Sequence, residues 1–284
     1  MIPESVRIIR ADRPEPLLAL AASCGWNQTL HDCRELTNAQ DAICFYAETD
    51  GEIIGSAAAK LYGENHTAFI NMVVVREAWR GRKIATAMLK KLMQTLAGFR
   101  TFRLYATPAG SHVYAKLGFK TYIEMTKYIK ADHHPRMPEG IQPLAEEDLA
   151  GIIALDARSF GVKREKILRY FYTQAPQFSF KCSDRNGRIT GFTIGRDGPV
   201  SRAAAALTAA SEQDAIRLFN AVAAAGDPAP KTHLIIPDTH TEMIRIALAN
   251  GIQPSSSKLV CMEYGQPGPL PAAHYFSVLG GDFG

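Results

Sequence analysis

The feature that most limits how this chain can fold is that one order of patterns runs through it twice. The segment ICFYAETDGEIIGSAAA (43–59) is echoed by FSFKCSDRNGRITGFTI (178–194). Each is a pair of apolar runs around a turn signal, Asp50-Gly51 in one and Asn186-Gly187 in the other, with Gly55 answered by Gly191. Two further passages repeat in the same order. AAALTAASEQDAIRLFNAVAAA answers the strand-to-helix passage of the first half, and HLIIPDTHTEMIRIALANGI answers RLYATPAGSHVYAKLGF, with Asn250-Gly251-Ile252 opposite Leu117-Gly118-Phe119. Such a chain is expected to fold as two diverged copies of one α/β unit, residues 1–132 and 138–284. At 284 residues it is long enough for each copy to bury its own core. The polar stretch KADHHPRMPEG (130–140) reads as the linker, with His133 and His134 in a solvated turn, and the tail PAAHYFSVLGGDFG is expected to lend the second copy a last strand.

Within the first copy the hairpin is followed by a strand, AFINMVVV (68–75), a short polar loop and then IATAMLKKLMQTLAG. There Ile84, Met88, Leu89, Leu92 and Leu96 recur at helical spacing, so the loop empties into an amphipathic helix. A strand (FRLYAT), a turn (PAG), a short helix (HVYAKLG) and a final apolar strand (FKTYIEMTKYI) complete the copy.

Charge and cysteine content exclude several classes of function. Thirty-two Lys plus Arg against 28 Asp plus Glu leave a net charge of +4, and the basic residues are dispersed, so no nucleic-acid partner is expected. The five cysteines lack metal-ligand spacing, so neither a metal nor a disulfide framework is expected. MIPESVRIIRADRPEP carries charges and prolines where an export signal needs an apolar run, and no apolar stretch is long enough to span a bilayer. A cytoplasmic protein without a membrane partner is the expectation.

The chemistry concentrates at the loop REAWRGRKIA. A helix N-terminus presents unpaired backbone N–H groups and the positive end of the helix dipole, which together bind anions. Gly81 and Ala85 let the backbone approach such an anion closely, while Arg80, Arg82 and Lys83 add charge. The pattern suits a pyrophosphate.

Arg80-Gly81-Arg82-Lys83-Ile84-Ala85 resembles the acetyl-CoA signature of the Gcn5-related N-acetyltransferases: Gln or Arg, two variable residues, Gly, one variable residue, then Gly or Ala. Lys83 stands where that family usually has glycine. The resemblance extends over the hairpin, the strand and ATPAGSHVYAKLGF, roughly residues 40 to 130, and the whole order is similar to two-domain members of YitH type whose second domain is degenerate. The second copy agrees, since Ser211-Glu212-Gln213-Asp214-Ala215 forms no basic glycine loop. The resemblance implies tandem α/β (α+β) domains, each a mixed, mainly antiparallel twisted sheet flanked by helices. It implies acetyl-CoA as cosubstrate, held by Met72, Val73, Val74 and Val75 along the strand and by Arg80, Gly81, Arg82, Lys83, Ile84, Ala85 and Thr86 around the helix start.

It further implies acetyl transfer to a primary amine of a small molecule or peptide, by a monomer or homodimer, with Tyr114 in the position of the family's general acid. A lysine-like amine is only about one part in a thousand neutral at pH 7, so attack needs a proton acceptor. Position alone offers Glu64, His66 and Glu124. A catalytically silent acyl-CoA-binding sensor fits the same residues. Trp79 reads as a packing anchor before the loop, Trp26 as part of an N-terminal helical region, and His112 as a turn residue.

Overall fold

The computed structural model describes residues 2–131, 136–225 and 231–284, so the linker histidines His133 and His134 lie outside the described residues. In chain order the elements begin with β1 (Arg7–Arg10), α1 (Glu15–Ser23), α2 (Leu30–Thr37), β2 (Ala42–Thr49), β3 (Glu52–Tyr62) and β4 (Thr67–Val75). There follow α3 (Ile84–Thr95), β5 (Thr101–Ala106), α4 (Pro108–Ala115) and β6 (Lys120–Ala131). The second half carries β7 (Ile141–Pro143), α5 (Leu149–Phe160), α6 (Glu165–Gln174), β8 (Phe180–Ser183), β9 (Ile189–Arg196) and β10 (Arg202–Ala209). It ends with α7 (Glu212–Ala224), β11 (Lys231–Pro237), α8 (Thr241–Ala249), β12 (Gln253–Gly265) and β13 (Tyr275–Ser277).

These elements gather into two compact units. One comprises residues up to Thr121 together with Met262–Pro267 and Phe283; the other comprises Tyr122–Cys261, Gly268–Asp282 and Gly284. The strand expected to finish the first copy therefore counts with the second unit from Tyr122 onward, where β6 runs antiparallel to β11 from Met125↔Pro237 to Ala131↔Lys231. Apolar alternation tells which face of a strand is buried and leaves its lateral neighbour open.

In the first unit the strand order is β1-β2-β3-β4-β5, with the end of β12 beside β5. The β1–β4 pairs are antiparallel and β4–β5 is parallel. Asp50 and Gly51 both take positive φ, 49° and 80°, between the paired residues Thr49 and Glu52. That is the two-residue turn whose twist suits a tight hairpin, as the Asp-Gly signal indicates. Helix α3 buries Ile84, Met88, Leu89 and Leu92, four of the five residues its periodicity picked out, and the fifth, Leu96, is buried at its C-cap. A deeply buried ionic group is Lys60, which is 1% exposed and holds Asp41 at 2.7 Å and Glu35 at 3.2 Å. A buried ammonium is tolerable only when paired in this way.

The second unit repeats the mixed sheet, with β7-β8-β9-β10 antiparallel and β10–β11 parallel. Its hairpin differs in detail. Asn186 does not take a positive φ; Asp184 closes a longer loop by accepting from the N–H groups of Asn186 and Arg188. The core gathers Phe219, Leu218, Val222, Leu234, Ile236, Met243 and Phe276, with the alanine run of β10 fully covered. The tail does supply a strand: β13 pairs antiparallel with β10 through Leu207↔Ser277 and Thr208↔Tyr275. Arg164 anchors it, bridging both oxygens of buried Asp156 at 2.8 Å and donating to the Tyr275 hydroxyl at 2.9 Å and to the main-chain oxygen of Gly284.

Candidate active site

The site of the first unit is built on an irregularity in β4. Ser56 faces Val74 and Ala58 faces Asn71, so Ala57 alone opposes two residues, Met72 and Val73. One extra residue in a strand is a bulge, which bends the strand and redirects its peptide groups. Met72 absorbs it with φ of +48°, a conformation that costs an L residue roughly 1–2 kcal/mol. Two buried contacts hold the strand in this shape. Gly55 brings β3 so close that a Cβ there would stand 2.8 Å from the Val74 carbonyl oxygen and 3.2 Å from Cε of Met88. The Ser56 hydroxyl donates to the Met72 carbonyl at 2.6 Å.

Beyond the bulge β4 parts from its other neighbour. The parallel ladder to β5 runs from Thr67↔Thr101 to Ile70↔Leu104 and stops, although β4 continues to Val75 and β5 to Ala106. The edge from Met72 to Val75 that faces β5 is therefore outside the ladder. In open α/β sheets, clefts at the carboxyl ends of parallel strands are where ligands bind. Met72, Val73, Val74 and Val75 all lie on this stretch.

Where β4 ends, Arg80 folds back and donates from Nε to the Val75 carbonyl at 3.1 Å, while Arg82 lies 4.7 Å over the ring of Trp79. Trp79 thus anchors a guanidinium by cation–π contact, which gives the expected packing anchor a partner. Gly81 takes φ of +78° and Lys83, the N-cap of α3, takes +61° with ψ of 14°. The family's glycine at this position thereby has a conformational explanation, and Lys83 adopts the same left-handed shape without it. No side chain caps α3 and no acid occupies its first turn, so the amides of Ile84, Ala85 and Thr86 face outward beside exposed Arg80, Arg82 and Lys83. That donor set suits a pyrophosphate.

Tyr114 sits on α4, which follows β5 as α3 follows β4, so both helices start at the same end of the parallel pair. The ring is 9% exposed and stacks edge-on against Phe119 at 5.9 Å. Burial alone drives its hydroxyl well above the ordinary tyrosine range. Of the three positional candidates for proton acceptor, Glu64 and His66 are exposed and precede β4, at the strand end opposite the bulge. Glu124 is exposed and counts with the second unit, where its carbonyl accepts from the Asp238 N–H. His112 is exposed on α4, within a helix and not a turn. Trp26 is half-buried after α1. Sequence reasoning missed the bulge and Ser56. The available signal was Gly55, since an isolated glycine within a strand marks a bulge or a close backbone approach.

Comparison with known proteins identifies the family of this fold. Residues 9–119 match the model of the acetyltransferase (GNAT) family and residues 152–277 a second acetyltransferase (GNAT) domain model. The chain belongs to the Gcn5-related N-acetyltransferase superfamily, as a tandem member. It is 23% identical to the uncharacterised N-acetyltransferase YitH of Bacillus subtilis (strain 168), over 93% of this chain and 92% of the relative. Among solved structures it resembles a Pyrococcus horikoshii protein described as a candidate acetyltransferase, with a TM-score of 0.80, 17% identity and coverage of 100% and 98% of the two chains. It also resembles a tandem GNAT protein of the clavulanic acid biosynthesis pathway, with a TM-score of 0.64, 13% identity and coverage of 93% and 100%. At such identities these structures speak for the fold alone. The family is one of acetyl transfer and generally uses acetyl-CoA.

Proposed function

We propose that the first unit binds acetyl-CoA along β4 and at the start of α3 and passes its acetyl group to a primary amine of a small molecule or peptide. The observation that carries this reading is the coincidence of an unladdered strand edge, Met72–Val75, with an uncapped, basic helix start immediately after it. The amides of residues 84–86 with Arg80, Arg82 and Lys83 hold the pyrophosphate. The polar arm of the cosubstrate adds to the edge of β4 as an extended peptide adds to a sheet. The neutral amine attacks the acetyl carbonyl carbon, and an N–H of the bulge meets the oxygen as it becomes an oxyanion. The C–S bond then breaks and the thiolate takes a proton.

Tyr114 serves that last step as a donor. Its raised pKa keeps it protonated throughout the neutral range, so it meets the thiolate with its proton on and works through orientation more than through acid strength. The amine proton leaves to solvent or to an acceptor supplied with the substrate.

The test is calorimetric titration with acetyl-CoA of the native chain and of Gly81→Glu, which puts bulk and negative charge into the basic loop. One cosubstrate per chain is expected, with binding lost in the variant. Binding by the native chain without turnover over a broad amine panel would identify the silent sensor instead, and no binding at all would remove the acetyl-CoA site.

A further inference from the structure

We infer that Ser56 is a positioning residue for acetyl transfer: it fixes the Met72–Val73 peptide so that the Val73 N–H faces the open edge of β4. This rests on the acetyl-CoA reading above. In a trans peptide the C=O and the following N–H point in opposite directions. The Met72 carbonyl is drawn toward β3 by the Ser56 hydroxyl at 2.6 Å, so the Val73 N–H points away from β3, toward the side where the ladder to β5 has ended. The hydrogen bond selects one orientation for a peptide whose first residue, Met72, lies outside the broad minima that L residues prefer. Ser56 is fully buried, and the bond is therefore sheltered from competing water.

The second unit supplies an internal control. There Thr193 opposes the two residues of the equivalent bulge, Ala206 and Leu207, and Ala206 takes φ of +46°. The residue facing Thr208, in the register place of Ser56, is Phe192. The hydroxyl that holds the bulge carbonyl is thus absent where the strand edge carries β13; the Thr193 hydroxyl holds the preceding carbonyl, Ala205, at 2.9 Å. The bulge belongs to the fold, and its Ser56 clamp belongs to the unit with the free edge.

The experiment compares the native chain, Ser56→Ala and Ser56→Thr by amide NMR during titration with acetyl-CoA and, separately, with CoA, which lacks the carbonyl. In the native chain CoA and acetyl-CoA both perturb the β4 edge through their common arm, and the additional shift that acetyl-CoA alone gives the Val73 amide reports the acetyl carbonyl. Ser56→Ala, folded by circular dichroism, is expected to bind both within about twofold of the native affinity, a change smaller than one ordinary hydrogen bond, and to lose the acetyl-specific shift. Ser56→Thr keeps the hydroxyl and restores it. With an amine acceptor, Ser56→Ala lowers kcat about tenfold, the factor of roughly one hydrogen bond, with KM for acetyl-CoA unchanged. An acetyl-specific Val73 shift that persists in Ser56→Ala overturns the assignment of Ser56 while leaving the acetyl-CoA site standing. Absence of acetyl-CoA binding in the native chain overturns both.

Discussion

The two units carry the same bent strand and differ in what lies along it. Met72 at φ +48° and Ala206 at +46° mark matching bulges, and Gly55 and Gly191 face them so closely that a Cβ would stand 2.8 Å and 2.9 Å from the carbonyls of Val74 and Thr208. In the first unit the strand past the bulge has no ladder toward β5. In the second the same stretch is occupied by the chain itself, with Ala206 N–H donating to Val278, Ala209 N–H donating to His274, and β13 between. The helices that follow differ likewise. The start of α3 is uncapped and basic, whereas α7 is capped by Ser211, which accepts from the Asp214 N–H, with Glu212 and Asp214 adding negative charge to its first turn. A helix start already satisfied by its own side chain and made acidic repels a phosphate. The bulge is thus a property of the fold, and what separates the two units is the edge beside it and the cap that follows.

The comparison breaks most severely at Arg164. This side chain and Asp156 are both fully buried, and the guanidinium also holds Tyr275 of β13 and lies 3.8 Å over the Phe160 ring. Arg164→Leu leaves the Asp156 carboxylate buried without its partner, and breaking such a pair costs about 3–5 kcal/mol. Urea unfolding should show this loss, and the double variant Arg164→Leu with Asp156→Leu should recover much of it. A single variant as stable as the native chain would show that β13 is held by its apolar residues alone.

Acid should separate the units next. His233 on β11 is buried, with its Nδ1 2.9 Å from the Ser201 hydroxyl, and burial together with the charges of Lys127 and Arg196 lowers its pKa to about 3. In the unfolded chain it titrates near 6.5. The unfolded state therefore binds the proton first, and the stabilising contribution is complete above about pH 6.5 and declines as pH falls toward about 3. The carboxylates titrate mainly below about pH 4.5, so a decline between pH 6.5 and 4.5 belongs to the buried histidines, chiefly His233, with His240 on the same unit lowered by burial in the same direction. A stability loss of order 1–3 kcal/mol across that interval is expected, and His233→Asn should remove most of it, leaving the part due to His240. An equally steep slope in the variant would point to another group.

How far the sequence could be read follows the range of the forces involved. The Asp-Gly turn, the α3 periodicity and the duplicated order are local patterns, and each appears where its residues stand. The basic loop was equally legible because charge and glycine announce themselves. The bulge was hidden, since Met72 and Ala206 are not residue types that advertise a left-handed backbone, and a bulge is a mismatch between two strands. The partners of β6 and β13 were hidden for the same reason. Alternation along a strand fixes its faces, while its neighbour depends on which edge remains open after the rest has folded. Glu64 and His66 were offered by nearness in sequence to β4 and stand at its far end, because a strand carries residues apart at about 3.3 Å each.

The smallest expected effect is the most discriminating for the first unit. Lys83 pays for its left-handed backbone at the place where glycine would rest freely, but it also brings an ammonium to the loop. Lys83→Gly relieves roughly 1–2 kcal/mol of backbone strain and gives back part of that in unfolded-chain entropy, for a net stabilisation of about 0.5–1 kcal/mol. The exposed charge is worth less, about 0.2–1 kcal/mol toward a phosphate, so acetyl-CoA affinity should fall by about two- to threefold while the melting temperature rises. Thermal melts and calorimetry on the one variant read the two effects separately. A tighter complex in Lys83→Gly would mean that the side chain obstructs the loop, and the first unit would then stand closer to its closed counterpart than its open edge suggests.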